Sequence, residues 1–429
     1  MFILYDIIYL LFTLSYLPYF IIKGKWHKDF ISRCWGPDKK LLSKLATEKR
    51  IWIHAVSVGE VMTIIKFVKF IKKKFPQYQI ICSTVTPTGN NLARRSFKDN
   101  AIVIYSPLDF SWIVARYINK IKPSVYISTE TEIWPNLYTL LGKAGIPILQ
   151  INGRISEKSF KWYRMASFFI KRSLKYVNIF CMQTKTDAER IVSMGANPER
   201  VKICGNLKFD IALDSKDVDI ENLGILRKNK IFVAGSTHPG EENIIVDIFI
   251  QLRKENPYLG LIIAPRHIER AKDVVELVRQ KGLQPVVFSE LRKGREISNL
   301  NEIVIVDEIG WLKPLYQIAT IVFIGKTFTI GGGQNIIEPA AFGKPVFIGP
   351  RADNFKDVVR LFLKRNAIIQ VNNTEELFNK ILELLRNPNK LKSIGEAAKE
   401  VVTENQGATA ETLSALSQLL LHSKSRKIE

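Results

Sequence analysis

The chain has 429 residues, more than one ordinary core accommodates, so two domains are expected. Apolar residues make up 46% of it, which excludes a disordered chain, and the formal net charge is +22. That charge suits an anionic partner (a membrane face, a phosphorylated substrate or nucleic acid), and nucleic acid is the weakest of these because the aromatic residues are not interleaved with the basic ones in any RNA-binding signature.

Phe2 to Ile22 is almost wholly apolar, broken only by Asp6 and Pro18, and Lys23, Lys25, Lys28 and Arg33 follow at once. The run is near the minimum for a spanning helix, and no small-residue cleavage site follows it, which argues against a signal peptide. The cationic flank predicts that the body of the protein lies on the cytoplasmic side of an inner membrane. A helix lying in the interface is the competing reading, since Asp6 and Pro18 both weaken a span. Either way residues 1–30 read as a membrane anchor with its basic flank.

From Ile51 the pattern is strand, turn, helix, repeated. Ile51 to Val56 reads as a strand, and Ser57-Val58-Gly59-Glu60 turns into a helix with Val61, Ile64, Ile65, Val68 and Ile71 on one face. Gln79 to Val85, then Val125 to Ser128 ahead of a helix begun by Pro135, repeat the unit, and Ile146 to Ile151 and Asn178 to Met182 are further strands. Asp210 to Lys230 is polar and reads as a linker. A second series follows at Ile231 to Ala234, Leu261 to Ala264, Pro285 to Phe288, Ile303 to Val306, Ile321 to Gly325 and Val346 to Ile348. Such alternation predicts an α/β protein of two Rossmann-like domains, 31–213 and 214–429, with a cleft between them and ligands at the carboxyl ends of the strands.

The candidate site residues sit at those strand ends. Glu60 either complements its helix dipole or serves as a general base for an acceptor hydroxyl. Of Glu130 and Glu132 only one is expected to face a cleft, because side chains alternate along an extended segment. Lys208, after the strand Val201 to Cys204, is either a solvated lysine or a phosphate contact. Ser236-Thr237-His238-Pro239-Gly240-Glu241 forms a strand-to-helix turn whose hydroxyls could cap a helix or bind phosphate, and Pro265-Arg266-His267 brings a guanidinium to the same end. In Gly331 to Val346, three glycines let backbone N–H groups approach a phosphate, with a helix expected from near Gln334. Asn335 and Glu338 on one face of that helix favour a nucleotide-sugar site over a plain tight turn. Neither the five histidines nor the four cysteines show metal-ligand spacing, so no metal is expected, and the cysteines read as reduced core residues.

Ser57-Val58-Gly59-Glu60, Thr86-Pro87-Thr88-Gly89, Glu130-Thr131-Glu132-Ile133-Trp134-Pro135-Asn136, Asn152-Gly153-Arg154-Ile155-Ser156, Gly205 to Asp210, Pro265-Arg266-His267 and Gly332 to Ala340 occur in order along almost the whole chain. Together they resemble the Kdo transferases, a family of GT-B fold that moves 3-deoxy-D-manno-octulosonic acid (Kdo) from CMP-Kdo to a lipid A precursor. The resemblance implies Glu60 as the base, Glu130 and Lys208 as transition-state stabilisers, and Pro265, Arg266, Ile309, Gly310, Trp311, Asn335, Ile336, Ile337 and Glu338 as CMP contacts. CMP-Kdo is then a donor substrate, and no cofactor, nucleic acid or obligate protein partner is implied. Three positions depart from the family pattern: Trp311 stands where Glu is usual, Lys326 where a second Gly is usual, and Gln334 where His is usual. An anchored, basic protein suits a phosphorylated lipid at an anionic membrane surface. Another GT-B nucleotide-sugar enzyme, such as an epimerase or a lipid glycosyltransferase, and a non-catalytic membrane scaffold are the alternatives.

Overall fold

The computed structural model describes residues 2–22, 32–37, 43, 49–211, 230–297, 299, 301–329 and 331–425. The chain divides into two compact units, Met1–Ile211 with Gln406–Glu429, and Ala212–Asn405. In the first, strands β1 (Arg50–His54), β2 (Gln79–Thr84), β3 (Ile102–Tyr105), β4 (Val125–Thr129), β5 (Ile148–Gly153), β6 (Val177–Met182) and β7 (Val201–Ile203) form one sheet. Their order is β3-β2-β1-β4-β5-β6-β7, and every pairing is parallel. The chain winds outward from β1 to β3, then returns to lay β4 on the other side of β1. That reversal opens a crevice at the carboxyl ends of β1 and β4, where His54 pairs with Ser128.

Helices cover both faces, so the strands read as continuous apolar runs. Alternation still governs the side chains: Ile51 and Ile53 enter one core, Trp52 the other. Full burial of each such residue contributes about 1.5–3 kcal/mol.

The second unit repeats the design with β8 (Ile231–Thr237), β9 (Gly260–Pro265), β10 (Gln284–Val287), β11 (Glu302–Ile305), β12 (Ile321–Ile324), β13 (Val346–Ile348) and β14 (Ile369–Gln370). The order β10-β11-β9-β8-β12-β13-β14 is again parallel throughout. Its switch point lies between β8 and β12.

Three expectations change. The helix Ala408–Ser425, placed by sequence in the second domain, belongs to the first unit. Leu413, Leu416 and Leu420 share a core with Ile51 and Val61, and the Asp210 carboxylate accepts the Gly407 and Thr409 N–H groups at 2.8 and 2.5 Å. Arg33, read as part of the cationic flank, is buried, and its Nε donates to the Ser106 carbonyl at 2.9 Å. The first helix, Phe2–Ile22, forms over the expected span, but no helix among the described residues is long and apolar enough to cross a membrane. Its Asp6, read as an interruption, is bonded to the folded body through Ser111 and Asn136. Lys23, Lys25, Lys28 and most of the expected linker lie outside the described residues.

Candidate active site

β1 ends at His54, and the helix Val58–Lys74 begins four residues later, with Ser57 in extended conformation at its N-cap. Ser57 does not cap the helix with its side chain. Instead its hydroxyl donates to Glu60 Oε1 at 3.2 Å, while the Val56 N–H donates to Oε2 at 2.8 Å. Glu60 is buried, and desolvation, with the charge of Glu130 next, raises its carboxyl from 4.5 to about 8. A dipole-complementing surface glutamate would not carry that shift.

Glu130 follows β4, the neighbour of β1, so the two turns lie side by side. Its φ of +57° puts it in the left-handed region, and its N–H donates to the Ile151 carbonyl at 2.9 Å. The chain is therefore turned rather than extended here, and the alternation rule does not apply. Both Glu130 and Glu132 act electrostatically on Glu60. Glu132 is itself raised to about 7, by burial first and by Glu130 second, with the Trp134 indole opposing. Three carboxyl groups thus crowd one crevice, where burial and mutual repulsion favour the protonated forms of Glu60 and Glu132.

A polar frame supports the crevice. Thr131 Oγ1 accepts the Gln150 amide at 3.3 Å and the Arg154 N–H at 3.0 Å, and the Tyr163 hydroxyl donates to the Thr131 carbonyl at 2.8 Å. Asn152 Oδ1 accepts the Leu207 N–H at 3.1 Å and so sets the start of the short helix Leu207–Ile211 that carries Lys208. That helix packs on Val58–Lys74, where Lys66 Nζ donates to the Asp210 carbonyl at 2.7 Å. Glu60, Glu130 and Lys208 accordingly share one unit.

In the second unit, Pro265 ends β9, and the Arg266 N–H donates to the Thr237 carbonyl at 3.0 Å. Glu338 accepts the Asn335 side-chain amide at 3.0 Å. Burial raises its carboxyl, while Lys313 and Arg266 oppose this, so both cations stand close by. Lys313 and the buried Tyr316, whose hydroxyl is also near Glu338, escaped the sequence reading because they lie on a separate helix, Leu312–Ile318. Ile336 and Ile337 are buried, so anything they offer a ligand comes from the backbone. Trp311 turns its ring onto Phe288, 5.2 Å between centroids, and beneath the Arg292 guanidinium at 4.7 Å. Ile309 beside it is 79% exposed.

The glycine turn does not work as expected. The helix starts at Ile337, not Gln334, and has only five residues, so it offers little dipole. Gly332 and Gly333 donate their N–H groups to the Arg351 and Lys326 carbonyls rather than holding them open for phosphate. Glycine is needed for conformation: Gly331, Gly332 and Gly333 all have positive φ, and a Cβ on Gly333 would meet Ala352 at 3.2 Å. The turn after β8 also differs. Glu241 is fully buried, and its carboxylate accepts the N–H groups of His238, Lys326, Thr327 and Phe328 at 2.7–2.9 Å. It pins the loop after β12, a role that only the adjacency of β8 and β12 reveals. Lys326, in the place where glycine is usual, adopts φ +62°.

Comparison with known proteins agrees with this architecture. Residues 291–401 match the family described as glycosyl transferases group 1. Two solved structures resemble the fold over most of the chain. UDP-GlcNAc 2-epimerase from Neisseria meningitidis has a TM-score of 0.57 at 12% identity, over 87% of this chain and 100% of that one. S. aureus MnaA with UDP has a TM-score of 0.58 at 14% identity, over 87% and 97%. At such identities they speak for the fold alone. Two doubly wound parallel units with the group 1 match on the second make the protein a glycosyltransferase of GT-B type.

Residues 32–211 match the family described as 3-deoxy-D-manno-octulosonic-acid transferase (kdotransferase). The 3-deoxy-D-manno-octulosonic acid transferase of Haemophilus influenzae is 32% identical over 86% of this chain and 87% of its own length. That of Aquifex aeolicus is 30% identical over 82% and 90%. A bifunctional glycosyltransferase/methyltransferase of Fusobacterium nucleatum is 38% identical over 84% of this chain, which spans 56% of that protein. The chain belongs to the Kdo transferase family.

Proposed function

We propose that the chain transfers Kdo from CMP-Kdo to the lipid A precursor lipid IV(A), with Glu60 as general base. An acceptor hydroxyl oxygen attacks the anomeric carbon, its proton passes to Glu60, and the bond to the CMP phosphate breaks with its electron pair leaving on the phosphate. The observation that carries this reading is the Glu60 carboxyl, buried beside Glu130 at the switch point of the first sheet and raised to about 8. Glu130 opposes the developing positive charge of the sugar, and Lys208 the negative charge of the leaving group. In the second unit Glu338 and Asn335 hold the ribose, while Pro265, Arg266 and the Ile309–Trp311 segment contact the rest of CMP. The cations of this scheme are protein side chains, so it calls for no metal, and CMP-Kdo enters as substrate.

The same reading places the protein on the cytoplasmic face of the inner membrane. Ile3, Leu4, Ile7, Leu11 and Phe12 of the first helix are exposed, while Tyr5 and Tyr9 pack inward on Phe169 and Phe110. An apolar face on a chain of net charge +22 suits a helix lying in an anionic lipid surface.

The test is the pH dependence of kcat/KM for the lipid acceptor. Activity is expected to rise with pH through about 8 as Glu60 gives up its proton. A flat profile, or a Glu60→Gln variant that keeps its turnover, would overturn the assignment.

A further inference from the structure

The inner side of the first helix, Phe2–Ile22, reaches the helix starts next to the reaction centre. The helix Ser111–Ile121 has Phe110 at its N-cap and no side-chain cap of its own. Asp6 fills that place, with Oδ1 accepting the Ser111 N–H at 3.0 Å and Oδ2 the Ser111 hydroxyl at 2.6 Å. Asp6 Oδ1 also accepts the Asn136 side-chain amide at 2.7 Å.

Asn136 is the second residue of the helix Pro135–Lys143, whose N-cap Trp134 likewise provides no side-chain acceptor. There the Asp109 carboxylate accepts the Asn136 and Leu137 N–H groups at 3.1 and 2.9 Å, and the Asp109 carbonyl accepts the Asn136 amide at 2.7 Å. One carboxylate from the first helix therefore ties two helix N-termini together through Asn136.

The bonding continues into the loop of Glu130 and Glu132. The Glu132 carbonyl accepts the Tyr138 hydroxyl of that same helix at 2.8 Å and the Ser128 hydroxyl of β4 at 3.3 Å. The segment from Glu130 to Trp134 is thus suspended between β4 and a helix start that Asp6 and Asp109 hold. Preorganised geometry of this kind matters because displacing a catalytic group by an ångström costs up to about a hundredfold in rate.

We propose that Asp6 is a positioning residue for the transfer: by docking the first helix onto Ser111 and Asn136 it fixes the loop that presents Glu130 and Glu132. The proposal rests on the reading of Glu60 and Glu130 as the reaction centre. It gives the first helix two separable tasks, with lipid contact on the Ile7 and Leu11 face and loop placement on the Asp6 face.

Full-length variants assayed with CMP-Kdo and detergent-solubilised lipid IV(A) separate the two tasks. Asp6→Ala is expected to lower kcat about tenfold to a hundredfold while donor KM stays within about twofold. Asp6→Asn is expected to restore most of the rate, because its amide oxygen still accepts from Ser111 and Asn136 and its NH2 can donate to the Ser111 hydroxyl. Ser111→Ala, which removes one contact and leaves the fold intact, is expected to fall between them. Ile7→Ser with Leu11→Ser is expected to keep kcat in detergent and lose binding to anionic vesicles. Wild-type kcat in Asp6→Ala, or a loss that Asp6→Asn does not restore, would overturn the proposal. A wild-type protein that transfers nothing in the same assay would instead overturn the functional reading beneath it.

Discussion

Replacing Glu60 with glutamine is expected to inactivate the protein and stabilise it at once. Burial, with Glu130 second, raises the carboxyl from 4.5 to about 8. Below about pH 4.5 both the folded and the unfolded chain hold the proton, and the residue carries no ionisation penalty. As pH rises from about 4.5 to 8 the unfolded chain releases its proton while the folded one keeps it, so stability is lost across that window. At about 1.36 kcal/mol per pH unit the loss reaches about 5 kcal/mol above pH 8 and about 3 kcal/mol at pH 7. Glutamine escapes this penalty and keeps the shape: its oxygen accepts the Val56 N–H and its amide donates to the Ser57 hydroxyl. Urea unfolding at about pH 5, 7 and 9 measures the difference, and tryptophan fluorescence suits it because, among the described residues, every tryptophan except Trp311 lies in the first unit. The two proteins are expected to be close at the acid end and to diverge in favour of the variant as pH rises. Turnover of the variant is expected to fall about a hundredfold or more. Parallel stability curves, or a variant less stable at every pH, would refute the buried, proton-holding carboxyl.

Kinetics of Lys208→Ala and Glu338→Ala are expected to contrast: the first lowers kcat with little change in CMP affinity by calorimetry, the second raises donor KM more than it lowers kcat. Glu241→Ala leaves four backbone N–H groups without their acceptor, and chemical denaturation is expected to show a loss of about 3–5 kcal/mol. Lys326→Gly relieves a left-handed backbone and is expected to gain about 1 kcal/mol in the same measurement.

Much of the scaffold was legible because most strands announce themselves within a few residues, although Ile102–Tyr105 and Ile369–Gln370 were not among those expected. Ile51 to Val56, Val125 to Ser128 and Ile321 to Gly325 are apolar runs closed by turn chemistry, and all three became central strands. Glu60 and Glu130 were singled out because each follows the carboxyl end of a strand, and the structure then sets those two strands, β1 and β4, side by side. What stayed hidden depends on contacts between distant segments. Nothing local in Ala408–Ser425 says that its leucines belong with Ile51, or that Asp210 caps it. Glu241 entered the sequence only as the last residue of a strand-to-helix turn, and its role shows once β12 lies beside β8. The glycine turn misled because glycine serves equally for phosphate approach and for positive φ, and only the hydrogen bonds of Gly332 and Gly333 decide between them. Asp6 misled in the same way, since an acid in an apolar run reads as a flaw until Ser111 and Asn136 are found against it.

Under the proposed function, sugar moves from CMP-Kdo to a lipid. Mass spectrometry of lipid IV(A) after incubation with the purified protein and CMP-Kdo in detergent reads that transfer. A lipid heavier by whole Kdo units, formed with matching release of CMP and absent with Glu60→Gln, is the expected result. Unmodified lipid alongside free CMP and free or isomerised sugar would contradict it.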